Sequence, residues 1–373
     1  MKVPFFDPTR EYLLYRADFD AAISEVMARG DFILGKAVSE FESRAAAYLG
    51  AKHAIGVASG TDALVIGADI LGFKHGAKVI MPAYSFFASA SCVARLGGVP
   101  VFTDIDEQTL CLDLDPFDRL CDEGASGVLP VHLFAQTASM QRVMDAARER
   151  GLAVLEDAAE AWGMSSLIDG AWRKAGTIGD IGAFSFFPTK TLGAYGDAGL
   201  IVTESDDLAA KIRSYRVHGS VAKYEHRYLG YNSRLDSIQA AVLNVKLSRI
   251  GDSIEARARH AAHYTSRLGG RAGIRLISAA DDCAPVSYVF NILIEGRDAL
   301  ARRLYERGIG TSVYYPKPLH LQECFAGLGY KEGDFPVAER VSKRILALPM
   351  FPELGDDEVD YVCDEILAFM GGA

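Results

Sequence analysis

The sequence predicts an α/β protein: a large domain with a mostly parallel mixed sheet between helices, followed by a smaller C-terminal α+β domain. Three observations carry this. Short continuous runs of Val, Ile and Leu alternate with helical patterns through the first 250 residues, as expected for parallel strands covered on both faces. The runs "IGAFSFF" and "GLIVTES" are separated by too few residues for a crossover helix, which implies a local antiparallel pair. Beyond residue 250 the pattern changes to a compact mixture of short strands and helices.

Taken in order, "SEFESRAAAYLG" places Ser39 three residues before Glu42, sets an apolar stripe at Phe41, Ala45 and Leu49, and ends in Gly50, the pattern of a capped helix. "HAIGVASG" follows as a strand, and Gly60 marks its exit into the helix "TDALVIGADILG", which reaches about Leu71. The alternation continues through "AKVIMPAYS", "SFFASASCVARLGG", "PVFTDID", "SGVLPVHLF", "SMQRVMDAARERG" and "LAVLEDAAEA". A polar loop, "HGSVAKYEHRYLGYNSRLD", leads into a helical stretch from Ser237 to Leu268 with a break or bend near Gly251. "SYVFNILIEG", "DALARRLYERG", "GTSVYYP", "AERVSKRILAL" and "DDEVDYVCDEILAFM" make up the smaller unit. The expected domains are residues 1–250 and 251–373.

Composition narrows the function. A net charge of −10, with no cluster of lysines and arginines, offers no field for nucleic acid. The six cysteines (Cys92, Cys111, Cys121, Cys283, Cys324 and Cys363) are scattered without a C-x-x-C pair. That spacing suits reduced thiols in the cytoplasm and suggests no metal site. The first twenty residues, broken by Pro4, Pro8 and charges, resemble neither a signal peptide nor an anchor. No apolar run approaches the length of a membrane span.

Ligands of open parallel sheets bind beyond the carboxyl ends of the strands, so the residues following each apolar run are the candidates. Four exits carry chemistry: "ASGTDAL", "PAYSFFAS", "LEDAAEA" and "FSFFPTKTLG". Gly60 and Thr61 open a helix whose free amides and positive dipole end suit a phosphate, although a plain N-cap would read the same way. Asp157 follows four apolar positions and needs a cation or several donors; a capping or ion-paired aspartate is the alternative. Lys190 alone would pass for a surface lysine. Together, a phosphate cradle, an acid, an aromatic ring at Phe86 and a lysine are the groups that pyridoxal phosphate requires of its protein. A lysine that attacks a carbonyl must lose its proton near neutral pH, and partial burial is expected to help it do so.

The motifs "ASGTDAL", "PAYSFFASA", "EDAAEAWG", "FSFFPTKTLGAYGDAG", "GYNSRLDSIQAAVL" and "YYPKPLHLQ" resemble, in this order, those of the DegT/DnrJ/EryC1/StrS family of sugar aminotransferases. The resemblance extends from "FILGKAVSEFE" to "ILALPMFP". It implies the type I fold of aspartate aminotransferase. It also implies pyridoxal phosphate as cofactor, with pyridoxamine phosphate as its aminated form, and amino transfer from L-glutamate to a nucleotide-linked keto-sugar. Lys190 would hold the cofactor and move the proton, Asp157 would face its ring nitrogen, and Phe86 would stack on the ring. Ser185, Thr61, Gly60 and the amide of Asp62 would grip the phosphate.

The resemblance further implies a homodimer with shared active sites, in which Asn232 reaches the phosphate of the neighbouring subunit. Arg234 would meet the anionic part of the nucleotide-sugar, with Tyr314, Tyr315 and His320 as further substrate contacts; interdomain packing is the alternative for the two tyrosines. Glu160 stands where many relatives have glutamine, beside the cofactor's phenolic oxygen, and Tyr314 stands where several have histidine. "TKTLGAYGDAG" with "YNSRLDSIQAA" is more similar to relatives that aminate C3, including those of surface polysaccharide and lipid A pathways, than to C4 enzymes with a "GEGG"-like run after the lysine.

Four rival readings follow from the same residues. A pyridoxamine-dependent dehydratase of this fold would carry histidine at position 190. A cysteine desulfurase would need a thiol near the site, for which Cys324 is the candidate. A dehydrogenase would need G-x-G-x-x-G, whereas "GAYGDAG" is spaced G-x-x-G-x-x-G. The last rival is a catalytically silent regulatory protein that keeps the fold and binds the cofactor.

Overall fold

The computed structural model describes residues 1–371. Three helices precede the sheet: α1 (Pro8–Leu14), α2 (Arg16–Arg29) and α3 (Lys36–Leu49). α3 begins three residues before Ser39. The Asp31 carboxylate accepts the Lys36 amide at 3.1 Å, so the first turn is already capped from upstream. Ser39 therefore lies inside the helix, its hydroxyl bonded to the Lys36 carbonyl at 2.9 Å. Glu42 serves elsewhere, accepting from the Gly56 amide at 2.8 Å and from Arg216 at 2.5 Å.

The large sheet is built from β1 (His53–Val57), β2 (Lys78–Pro82), β3 (Val99–Thr103), β4 (Ala125–Val128) and β5 (Ala153–Asp157). The hairpin β6 (Ser165–Ile168) and β7 (Ala171–Lys174) lies outside it, and β8 (Ile181–Ser185) and β9 (Gly199–Thr203) complete it. Among the described residues the order is β1-β9-β8-β5-β4-β2-β3. β9 alone runs against the rest, pairing antiparallel with both β1 and β8. This is the antiparallel pair expected from the short connection between the two apolar runs.

Helices α4 (Gly60–Ile70), α5 (Phe87–Ala94), α6 (Phe117–Asp122), α7 (Met140–Arg150) and α8 (Asp206–Tyr215) cover the sheet. The sheet's two faces are buried in separate apolar clusters. One holds Ile55, Val57, Leu64, Val79, Met81, Leu155 and Ile201, and the other Phe41, Ala54, Trp162, Phe184, Leu200 and Val202. Consecutive residues of β1, Ala54 and Ile55, enter opposite clusters, the signature of a strand buried on both sides.

The polar loop carries the short pair β10 (Ser220–Ala222) and β11 (Glu225–His226). The helical stretch after it divides at Ser248 and Arg249 into α9 (Ser237–Leu247) and α10 (Ile250–Leu268), so Gly251 lies inside the second helix and not at the break. β12 (Ile274–Leu276), β14 (Phe290–Ile294) and β15 (Ile345–Leu348) form a three-stranded antiparallel sheet, while β13 (Cys283–Ala284) joins the β6–β7 hairpin. α11 (Arg297–Glu306) and α13 (Asp356–Gly371) pack around this smaller sheet with α10 in a core of Tyr264, Leu268, Ile292, Leu346, Phe351 and Val359, whereas α12 (Pro336–Arg344) buries Ala338 and Val341 in the cluster that holds Ile55 and Leu155. Val3 enters the core of the smaller sheet and bridges to Ile309. Among the described residues, no helix is long and apolar enough to cross a membrane.

Candidate active site

The exits of β1, β2, β5 and β8 converge on one cavity of about 390 Å³. At the β1 exit Ser59 caps α4, its hydroxyl accepting the Asp62 amide at 3.1 Å. The first turn of α4 presents Gly60 and Thr61 to the cavity, opposite Ser185 at the end of β8. Gly60 is required for this approach: a Cβ there would lie 2.5 Å from the Ser185 Cβ. Gly199, next along the sheet, is similarly closed in, because a Cβ would sit 2.3 Å from the Ser59 carbonyl oxygen.

At the β5 exit, Asp157 is 4% exposed. One carboxylate oxygen accepts the Ser89 hydroxyl at 2.6 Å and the other the Ala159 amide at 3.2 Å. Burial pushes this carboxyl above its ordinary range, against the pull of those donors and of the Lys190 charge. Three residues on, Glu160 accepts from the Lys190 ammonium at 3.0 Å and from the Phe134 amide at 2.9 Å.

Lys190 follows β8 in a turn whose amide donates to the Phe187 carbonyl at 2.8 Å. Its Nζ also lies 4.5 Å from the centre of the Tyr288 ring. The expected lowering of its pKa is not found. Burial draws the ammonium down, but the facing charge of Glu160, together with Tyr288 and Asp157, more than offsets this and holds it above the usual lysine range.

Phe86, more than half exposed, forms part of the wall, its ring centre 5.9 Å from that of Tyr315. Tyr314 and Tyr315 close the far side. They are fixed to the large sheet by buried Tyr84, whose hydroxyl donates to the Tyr314 carbonyl at 2.7 Å and accepts the Tyr315 amide.

Nine of the expected site residues thus share one cavity: Gly60, Thr61, Phe86, Asp157, Glu160, Ser185, Lys190, Tyr314 and Tyr315. Four do not line it. The Asp62 amide is already engaged by Ser59. Asn232 is exposed and bridges to Val217, and Arg234 is half-buried in the same loop. His320 does not line the cavity: it is 1% exposed, 3.0 Å from a Glu339 carboxylate oxygen and edge-on to Phe335. The cavity also includes Ser59, Thr189, Asp197 and Tyr288, which no strand-exit pattern singled out. Tyr288 enters from the smaller unit just before β14, where it reads as part of an apolar strand.

These residues fit pyridoxal phosphate. The desolvated Asp157 carboxyl would be relieved by a protonated ring nitrogen. The α4 N-terminus with the Thr61 and Ser185 hydroxyls forms an anion cradle whose space a Cβ at position 60 would fill. Lys190 would supply the amine for the aldehyde, and the cavity is of the size that small cofactors occupy.

The family model described as the DegT/DnrJ/EryC1/StrS aminotransferase family matches residues 14–367. A "Pleiotropic regulatory protein" of Geobacillus stearothermophilus is 44% identical, over 99% of both chains. The dTDP-3-amino-3,4,6-trideoxy-alpha-D-glucose transaminase of Streptomyces venezuelae is 38% identical, over 98% of this chain and 95% of its own length. The UDP-N-acetyl-3-dehydro-alpha-D-glucosamine 3-aminotransferase of Acidithiobacillus ferrooxidans is 36% identical, over 99% and 98%. Among solved structures, S. venezuelae DesV superposes with a TM-score of 0.94 at 38% identity, covering 99% of this chain and 98% of the other. The chain belongs to the DegT/DnrJ/EryC1/StrS aminotransferase family and is a pyridoxal-phosphate-dependent sugar aminotransferase.

Proposed function

We propose that this enzyme transfers the amino group of L-glutamate to C3 of a UDP- or dTDP-linked 3-keto sugar, for surface polysaccharide, lipid A or related amino-sugar synthesis. The observation that carries the site assignment is the convergence of Lys190, Asp157, Glu160 and the α4 N-terminus on one cavity. The C3 preference is supported by the run "GAYGDAG" after the lysine and by the two relatives named for amination at C3 of dTDP- and UDP-linked sugars.

Bound pyridoxal phosphate supplies an electron sink that makes the substrate carbon bearing nitrogen acidic. The protein's part is to hold, orient and move protons. Gly60, Thr61 and Ser185 bind the phosphate, and Asn232 of a second copy completes that grip in a homodimer. Asp157, supported by Ser89, holds the proton on the ring nitrogen by presenting a buried negative charge. Phe86 packs on the ring face, and Tyr314 and Tyr315 exclude water from the far side. Lys190 Nζ takes the proton from the donor's α-carbon and returns one during the opposite half of the exchange. Arg234 is assigned to the nucleotide phosphates, where a guanidinium fork suits paired oxygens.

The test is a panel of UDP- and dTDP-linked 3-keto and 4-keto sugars with glutamate, followed by the mass of the amino-sugar. Product from the 3-keto substrates is expected, and product only from 4-keto substrates would overturn the C3 assignment. One observation favours a second reading, a silent cofactor-binding regulator: the name of the Geobacillus relative. Addition of L-glutamate separates the two, because an enzyme shifts from aldehyde-form to amine-form absorbance and a silent binder does not.

A further inference from the structure

Glu160 is 6% exposed and divides its carboxylate between two partners. One oxygen lies 3.0 Å from Lys190 Nζ, and the other accepts the Phe134 amide at 2.9 Å. Phe134 adopts a left-handed backbone, φ 63°, a conformation uncommon for a bulky residue. This aims its amide at the carboxylate, and its ring stacks against Tyr315 at 6.5 Å. The carboxylate is therefore fixed from behind by the backbone and faces the reactive amine.

We propose that Glu160, anchored by the Phe134 amide, is a positioning residue that keeps Lys190 protonated and docked until a ligand enters, and so sets the pH at which this amine becomes available to an aldehyde. The proposal rests on the assignment of Lys190 as the cofactor-binding amine and adds a control on it. The groups facing Lys190 come from four elements: Glu160 and Asp157 from the β5 exit, Tyr288 before β14, Tyr314 and Tyr315 from the segment after α11, and Asp197 before β9. Of the acids, Glu160 is the one in ion-pair contact. On its other side the lysine turn borders a second cavity of about 380 Å³ that includes Arg257, Lys246, Glu11 and Glu353, where Lys246 is already paired with Glu11 at 2.5 Å.

The experiment uses the full-length chain freed of cofactor, trace-labelled with acetic anhydride between about pH 7 and 11, with each lysine read by peptide mass spectrometry. The midpoint of the pH profile is the readout, since restricted access of the reagent scales its amplitude without moving it. In the native chain Lys190 is expected to titrate at or above the ordinary lysine value of about 10.4. Glu160→Gln keeps an acceptor for Phe134 and removes the charge, so the Lys190 midpoint should fall by about one pH unit or more. Glu160→Asp, which keeps the charge, should stay nearer the native profile.

A Glu160→Gln profile that superimposes on the native one overturns the proposal. So does a native Lys190 that titrates below the exposed lysines, a result that needs no variant to fold. Failure of the cofactor assignment is separately visible: reductive trapping of pyridoxal phosphate would then miss Lys190 even where the pH shift is found.

Discussion

Asp157 illustrates how one side chain can be both costly and necessary. Burial at the end of β5 raises its carboxyl pKa, while the Ser89 hydroxyl at 2.6 Å and the Ala159 amide favour the ionised form. A bound cation tips that balance toward the carboxylate. Asp157→Asn is therefore expected to fold and to keep the shape of the cavity, yet to lose about a hundredfold or more in turnover with glutamate, as loss of one preorganised electrostatic contact does. Single-turnover absorbance with glutamate checks this, and near-native turnover would remove Asp157 from the mechanism. Lys190 shows the opposite arrangement, with burial opposed by Glu160 so that the ammonium is favoured. The sequence marks Lys190 as the amine and expects burial to lower its pKa; the direction is reversed because Glu160, thirty residues away in the chain, pairs with it.

Elements place these side chains, and the strength of the placement is testable. Gly60→Ala would set a Cβ 2.5 Å from the Ser185 Cβ, on a strand held by β9 and β5 and unable to retreat. A loss of about 1–3 kcal/mol in stability, with weaker cofactor retention, is expected from thermal melts and cofactor titration. A second test concerns α1, which is fastened to α13 by Arg10 at 2.6 and 2.7 Å from the two Glu358 oxygens. That pairing lowers the Glu358 pKa, so its stabilisation is fully present above the unfolded carboxylate value of about 4.3 and is lost as pH falls through the lower folded value. Glu358→Gln should accordingly cost about 1 kcal/mol at neutral pH and nothing once the native carboxyl is protonated, as read by denaturant unfolding at both pH values.

Strands and their exits were legible because a doubly buried strand is a continuous apolar run that a polar turn must end. The start of α3 was not, because the cap comes from Asp31 and not from Ser39. Nor was the direction of His320, since motif position does not fix which way a side chain turns and Glu339 and Phe335 of the α12 region claim it. Tyr288 is illegible in the sequence for a related reason: it reaches the cavity from the amino end of a strand in the other sheet.

At the scale of the whole molecule, one chain brings nine expected residues to the cavity while Asn232 lies outside it on an exposed loop. In a homodimer with shared sites, Lys190→Ala and Asn232→Ala would disable different halves of each site. Mixed and re-associated at random under limiting cofactor, the two variants should regain about a quarter of native activity, because half the dimers are mixed and each of those keeps one intact site. Absence of any regain, with dimers verified by analytical ultracentrifugation, would place Asn232 outside the partner's site. The most direct measurement of the central claim is borohydride reduction of the full-length enzyme loaded with pyridoxal phosphate, followed by peptide mass mapping. One reduced pyridoxyl adduct is expected, on Lys190; an unlabelled Lys190 with the adduct on other lysines would overturn its assignment as the cofactor-binding amine.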